Sequence, residues 1–248
     1  MDLHLKDKTA LVTGASRGIG AATARILAEE GADVVVGCHA DTDGAERTAE
    51  TVRQAGRRAW CLPMDVADPG SVATAFHTLR ERIDRIDLLI LCSGESTVTP
   101  FQKTSPQEWA RIVDVNLNGP FYVLQAATDM LSEGSSVVTV ASVAGHTGVP
   151  HHAHYAAAKA GLINLTKSAA RALAPRVRVN CVAPGMTLTE MGRQSATALP
   201  PDYAKTQLLT GRFAEPDEIA RVIVFVASPV AGFMTGATID VNGGRVLR

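Results

Sequence analysis

The sequence predicts an α/β fold: a single doubly wound, Rossmann-type domain with about seven parallel strands flanked by helices on both faces. Three observations predict it. Strand-like runs such as Thr9-Ala-Leu-Val-Thr13 and Asp87-Leu-Leu-Ile-Leu-Cys92 are apolar through their interiors instead of alternating, so both of their faces must be covered. Stretches with helical spacing alternate with these runs along the whole chain, and no Ser/Gly linker, charge block or repeat divides it. A glycine-rich turn, Thr13-Gly-Ala-Ser-Arg-Gly-Ile-Gly20, closes the first strand and opens the first helix.

The elements follow in order. After Thr9 to Thr13, the stretch Ala21 to Glu30 places Ala, Ile and Leu at helical spacing, and Gly31 stands where a C-cap belongs. Asp33-Val-Val-Val-Gly37 is the second strand, followed by a helix over Ala45 to Gln54 with Gly56 beyond it. Arg58 to Leu62 is the third strand. Asp68-Pro-Gly-Ser opens the next helix, with Pro69 in its first turn. After the fourth strand, Asp87 to Cys92, the pattern predicts one long helix from Pro106 to about Leu131. Ser136 to Ala141 is the fifth strand, and the helix from His152 to Ala174 is stopped by Pro175. Arg176 to Val182, a helix over Glu215 to Ala227, and Ala237 to Val241 complete the series. Thr187 to Gly211 breaks the rhythm and reads as an irregular substrate lid. Right-handed crossovers put ligands at the carboxyl ends of the strands, the rim where that segment lies.

Composition narrows the function. The chain has 248 residues, with 24 basic and 25 acidic side chains and a formal net charge of −1. That balance argues against a nucleic-acid partner, which asks for a basic excess, and against a polybasic membrane binder. No run reaches the roughly 18 uncharged apolar residues of a spanning helix. The charged N-terminus has no apolar core of a secretory signal. Cys38, Cys61, Cys92 and Cys181 are scattered, without a C-x-x-C pair, and read as buried, reduced thiols of a cytoplasmic protein. His146, His151, His152 and His154 lack carboxylates or cysteines at ligand spacing, so no metal is expected and they read as pocket-lining or surface residues. Trp60 and Trp109 read as core or interface aromatics.

Two constellations carry chemistry. Gly14, Gly18 and Gly20 permit unusual φ values and let backbone N–H groups approach a phosphate at a helix N-terminus. No acid occupies Cys38 or His39, where an NAD-preferring site places a carboxylate for the ribose 2′-OH. Arg17 and His39 instead favour a 2′-phosphate, which predicts NADP(H) over NAD(H), with Asp41 and Asp43 as the opposing signal. Asp65 is placed to accept from the adenine amino group. Tyr155-Ala-Ala-Ala-Lys159 puts a phenol and an ammonium on one helix face, where the cation favours phenolate and lowers the phenol pKa. Such a tyrosine exchanges a proton with a carbonyl or alcohol oxygen. Ser142, just past the fifth strand, is placed to hydrogen-bond the same oxygen. Asn116 is a polar amide inside a helix, which implies a bound water or a local distortion.

Taken together these residues resemble the short-chain dehydrogenase/reductase family over essentially the full chain, with greatest similarity to its 3-oxoacyl-carrier-protein reductase-like members. Thr13 to Gly20, Asp65-Val66, Val115-Asn-Leu-Asn-Gly119, Ser142 with Tyr155 and Lys159, Ala183-Pro-Gly185 and Thr235 to Gly244 carry the resemblance. It implies hydride transfer between nicotinamide C4 and a substrate carbonyl. By it, Tyr155 is the acid/base, Lys159 binds the nicotinamide ribose and lowers the tyrosine pKa, Ser142 orients the carbonyl, and Asn116 holds a water in a proton relay. It implies cofactor contacts from Gly14, Ser16, Arg17, Gly18, Ile19, Gly20, His39, Asp65, Val66, Ser93, Gly94, Pro184, Gly185, Thr187 and Thr189. A homotetramer or homodimer built through two long helices and the C-terminal strand is also implied. The chain departs from the family at Leu91-Cys-Ser-Gly94, where Asn-Asn-Ala-Gly is usual. Two amides are lost there, away from the reacting atoms.

For the substrate, a small free carbonyl compound or alcohol is preferred to a carrier-linked 3-oxoacyl chain. Asp129 and Glu133 precede the fifth strand without a base, although Arg171, Arg176 and Arg178 offer compensation toward an acidic carrier. A non-catalytic dinucleotide-binding regulator is the alternative of another class.

Overall fold

The computed structural model describes residues 2–247. They form one parallel sheet of seven strands in the order β3-β2-β1-β4-β5-β6-β7. The strands are β1 Thr9–Val12, β2 Asp33–Cys38, β3 Ala59–Pro63, β4 Ile86–Leu91, β5 Leu131–Val140, β6 Val177–Pro184 and β7 Thr238–Val241. The helices are α1 Gly18–Glu29, α2 Thr42–Gln54, α3 Pro69–Arg80, α4 Pro106–Val113, α5 Gly119–Ala127, α6 Ala144–Thr147, α7 Ala153–Leu173, α8 Glu190–Ala196, α9 Tyr203–Gln207 and α10 Pro216–Ala227. The predicted doubly wound sheet is therefore the observed one.

The apolar strand runs have the expected cause. On β2, Val34 and Val36 pack with Ala24 and Leu27 of α1 and Ile223 of α10, while Val35 faces Phe76 and Leu79 of α3 on the other side. β1 pairs with β2 on one side and β4 on the other, Val12 lying opposite Val36 and Ile90. Chain order reverses at β1, which opens a crevice beyond the carboxyl ends of β1 and β4.

Three segments differ from the sequence reading. The helix expected over Pro106 to Leu131 is two helices, joined by a π turn at Asp114–Asn118, and it ends at Ala127. Pro120 is the physical reason for a break, because it brings no N–H to the ladder. β5 starts earlier than expected, at Leu131 instead of Ser136. Thr187 to Gly211 is not irregular, since it carries α8 and α9. Other ends shift by a few residues: α1 starts inside the glycine turn at Gly18, and Asp41 caps α2 at Thr42 by accepting from the Gly44 N–H at 2.9 Å.

Candidate active site

The turn after β1 is built for close backbone approach. Gly14 and Gly18 take φ values of +64° and +59°. A Cβ on Gly20 would stand 2.2 Å from the Gly14 carbonyl oxygen, so only glycine lets α1 sit this near the strand. The α1 N-terminus has no side-chain cap, which leaves its first N–H groups for an anion. Thr13 Oγ1 accepts from the N–H groups of Cys92 and Ser93 at 3.0 and 3.1 Å, so a hydroxyl holds the strand end where two amides are missing.

A cleft of about 1490 Å³ runs along the carboxyl edge of the sheet. Every residue singled out above for the cofactor lines it, as do Ser142, Tyr155 and Lys159. The glycine cradle, the uncapped helix and the volume of the cleft fit a dinucleotide. Among the described residues no cluster of metal-ligating side chains occurs.

At the adenosine end, Asp41 has one carboxylate oxygen committed to the cap of α2. Asp65 accepts from the Ala67 N–H through Oδ1, while Oδ2 lies 3.2 Å from Arg111 Nη1 and 3.7 Å from His39 Nε2. Its carboxyl is held below the usual range, because the Ala67 N–H and Arg111 outweigh the opposing effect of partial burial. The oxygen expected to face adenine is thus shared with Arg111, which also pairs with Glu95 at 3.1 Å. Arg111 and Glu95 escaped the sequence reading, which had no signal for partners 16 residues apart. Arg17 pairs with Glu190 of α8 at 2.8 Å, both side chains being exposed. Thr189 caps α8 through Oγ1, and its methyl lies against Gly18: a Cβ there would come within 3.1 Å of it. The N-terminus of α8 therefore sits directly on the glycine turn.

At the opposite end, Lys159 is buried at 3% exposure and donates to the Val140 carbonyl at 2.9 Å. Its Nζ lies 5.5 Å from the centre of the Tyr155 ring. Tyr155 hydrogen-bonds Ser142, whose Oγ also accepts from the Ala144 N–H at 3.2 Å. Burial pushes the Tyr155 phenol up to about 12, against the lowering expected from the lysine, and pushes Lys159 down to about 8. Each charged form loses more hydration than its neighbour returns. Cys92 stands beside Lys159, and burial pushes its thiol up to about 11.

Asn116 lies outside the cleft, fully buried in the π turn, so the expected distortion is present. Its Nδ2 donates to the Ile112 carbonyl at 2.8 Å and the Glu95 carbonyl at 2.7 Å, while Oδ1 has no hydrogen-bond partner. A Cβ on Gly94 would meet that oxygen at 3.1 Å and Lys159 Nζ at 3.7 Å, so glycine keeps the space between them open.

The histidines divide. His151 and His152 line the cleft as expected. His146 lies 3.1 Å from Asp240, and His154 is wholly buried and off the cleft surface. Two of the three arginines proposed for an acidic carrier are also occupied. Arg178 donates to five main-chain carbonyls from Val226 to Met234, and Arg176 to those of Thr128 and Leu131. Both serve helix ends instead of a partner, which leaves Arg171.

Sheet topology and cleft define a class first: an oxidoreductase built on a dinucleotide-binding sheet. A family model described as enoyl-(acyl carrier protein) reductase matches residues 14–245. The 3-oxoacyl-[acyl-carrier-protein] reductase FabG of Staphylococcus aureus is 39% identical over 247 residues, covering 97% of this chain and 98% of that protein. The cis-4-hydroxycyclohexanecarboxylate dehydrogenase of Sinomonas cyclohexanicum is 38% identical over 245 residues, covering 96% of each. Of solved structures, a short-chain dehydrogenase/reductase of the glucose/ribitol dehydrogenase type from Brucella melitensis superposes with a TM-score of 0.92 at 34% identity over 100% of both chains. A short-chain dehydrogenase from Burkholderia cenocepacia in complex with NADP does so at 0.90 and 31%, over 97% and 98%. The chain belongs to the short-chain dehydrogenase/reductase family, and it is an enzyme acting on alcohol and ketone groups.

Proposed function

We propose that this protein transfers a hydride between NADP(H) and the carbonyl or alcohol of a small, free substrate, with Tyr155 as the acid/base. The observation that carries this reading is the grouping of Tyr155, Ser142 and Lys159 on one wall of a cleft whose other end is a glycine phosphate cradle. When bound, NADP(H) supplies the hydride and, in its oxidised form, a positive charge. The chain's own residues do the rest. The α1 N-terminus and Ser16, Ile19 and the glycines hold the pyrophosphate. Arg17 and His39 hold the 2′-phosphate; the exposed Arg17–Glu190 pair is worth at most about 1 kcal/mol, so Arg17 exchanges partners readily. Val66, Ser93 and Gly94 border the adenosine, and Pro184, Gly185, Thr187 and Thr189 the nicotinamide. Ser142 orients the substrate oxygen, and Tyr155 gives it a proton or removes one. Lys159 holds the ribose, and a water held at Asn116 Oδ1 passes protons onward. The segment from Thr187 to Gly211 acts as the lid.

A second reading, reduction of a carrier-linked 3-oxoacyl chain, is favoured by the FabG relative. Occupation of Arg176 and Arg178 by main-chain carbonyls supports the free substrate instead. A non-catalytic regulator has only the altered Leu91-Cys-Ser segment in its favour. A homotetramer or homodimer is supported by exposed Trp109 on α4 and Phe121 on α5. Four free thiols support a reducing, cytoplasmic setting.

Loss of NADPH absorbance should be followed with free ketones and with carrier-linked 3-oxoacyl thioesters. Turnover of the free ketones is expected; activity on the thioesters alone would transfer the assignment to the second reading. Tyr155→Phe should lower kcat by about a thousandfold or more while sparing NADPH binding. Arg17→Ala should weaken NADPH at least tenfold more than NADH; equal weakening would remove the cofactor assignment.

A further inference from the structure

His154 immediately precedes Tyr155 and is 0% exposed. Its Nδ1 accepts the backbone N–H of Tyr155 at 2.7 Å. That N–H belongs to the first turn of α7, where donors lack helical partners, and His152 at the N-cap supplies no side-chain acceptor. With Nδ1 accepting, the ring proton sits on Nε2. Nε2 lies 3.0 Å from Thr97 Oγ1. Thr97 has one hydroxyl proton, and it goes to Glu108 Oε1, because an ionised carboxylate only accepts. Thr97 Oγ1 therefore accepts from Nε2–H, and Thr99 Oγ1 donates a second bond to the same carboxylate oxygen. The two hydroxyls hold the Glu108 carboxyl below the usual range and keep it ionised. Tyr155 N–H, His154, Thr97 and Glu108 thus form one chain, and Nε2 also lies 3.5 Å from Glu108 Oε1.

Two further bonds join the same segments. The Thr99 N–H donates to the His151 carbonyl at 2.9 Å, and Ser96 Oγ lies 3.0 Å from His152 Nδ1. Ser96, His151 and His152 line the cleft beside Tyr155. The loop after β4 and the first turn of α7 are thus stitched into one wall. Neither the charge balance nor the cleft explains why a histidine stands at 154; this network does.

We propose that His154 is a positioning residue with two separable duties: Nδ1 fixes the backbone that carries the Tyr155 phenol, and Nε2 locks the Ser96–Thr99 wall against which the substrate packs. The proposal rests on the acid/base reading of Tyr155. His154→Asn keeps an acceptor at the Nδ1 position but falls short of Thr97. His154→Gln keeps a donor near the Nε2 position but loses the acceptor for Tyr155. The Asn variant should hold kcat near its original value and raise KM about tenfold, and the Gln variant should hold KM and lower kcat about tenfold. Adding Thr97→Val to His154→Asn should raise KM by less than Thr97→Val does in the parent enzyme, because the His154–Thr97 bond is already lost. NADPH binding, followed by its fluorescence, should change less than about twofold throughout. Unchanged kcat and KM in both variants would overturn the proposal, as would parallel losses in both that merely track thermal stability. Tyr155→Phe is assayed alongside. If it stays active, the acid/base reading fails; if it is inactive while the His154 variants behave as the parent enzyme, only the present proposal fails.

Discussion

Tyr155 is half-buried on the cleft wall and Lys159 is buried behind it, and the hydration they lose sets their working forms. With the phenol at about 12, the protonated donor form prevails at neutral pH, so carbonyl reduction needs no prior titration. Alcohol oxidation needs the phenolate, whose fraction grows about tenfold for each pH unit below the pKa. Oxidation rates are therefore expected to climb steeply from about pH 6 to 8 and less steeply once Lys159 loses its proton near 8, while reduction stays level up to that point and then declines. Initial rates in both directions over that range test this; an oxidation rate indifferent to pH would separate Tyr155 from the proton transfer. Lys159 and Tyr155 were legible as a pair only when their spacing was taken together with the glycine turn, Ser142 and Asn116. The direction of the phenol shift was not, because it depends on burial, which a four-residue spacing does not encode.

At the scale of an element, the glycine turn and the ends of the helices decide most. Gly20→Ala would drive a methyl into the Gly14 carbonyl, so turn and helix must separate. NADPH affinity should fall more than about tenfold by titration, with a lower melting temperature. Arg178 closes the C-terminal end of α10, donating at 2.9 to 3.3 Å to the carbonyls of Val226, Ala227, Ser228, Ala231 and Met234. Orphaned carbonyls at a helix end carry partial negative charge, and a half-buried guanidinium is the group that satisfies several at once. Arg178→Met should cost about 3 kcal/mol and lower the melting temperature by roughly 10 °C in a scanning calorimeter. The sequence gives Arg178 only as one base on an apolar strand. Its five acceptors lie 48 to 56 residues away, beyond any local pattern. The π turn has a partial signal in Asn116 and Pro120. The widened turn leaves the Ile112 carbonyl for Asn116 Nδ2, which anchors the amide and leaves Oδ1 free toward Lys159.

Across the whole molecule, the α8 end of the Thr187 to Gly211 segment and the glycine turn meet through Thr189 on Gly18 and Glu190 on Arg17. On the reading proposed above, filling the 2′-phosphate site would draw Arg17 from Glu190 and so couple the cofactor to the Thr187 to Gly211 segment. The outer faces of α4 and α5 carry Trp109 and Phe121, at 42% and 43% exposure. Light scattering after size exclusion should give a tetramer or dimer. Trp109→Glu with Phe121→Glu should shift it to a smaller species, since a buried charge without a partner costs several kcal/mol.

From the order of its amino acids alone, this chain declared its layered α/β architecture, its glycine turn and the Ser142, Tyr155 and Lys159 that the fold brings to one cleft. Those follow from periodicity, missing side chains and short spacings, which are local properties. Only the folded molecule decided that burial raises the Tyr155 phenol, that Arg111 shares Asp65, that Arg176 and Arg178 serve helix ends, and that His154 ties Tyr155 to Thr97. Each of these depends on groups distant in sequence meeting in a region of low polarity, where hydration is lost and a single neighbour sets the outcome.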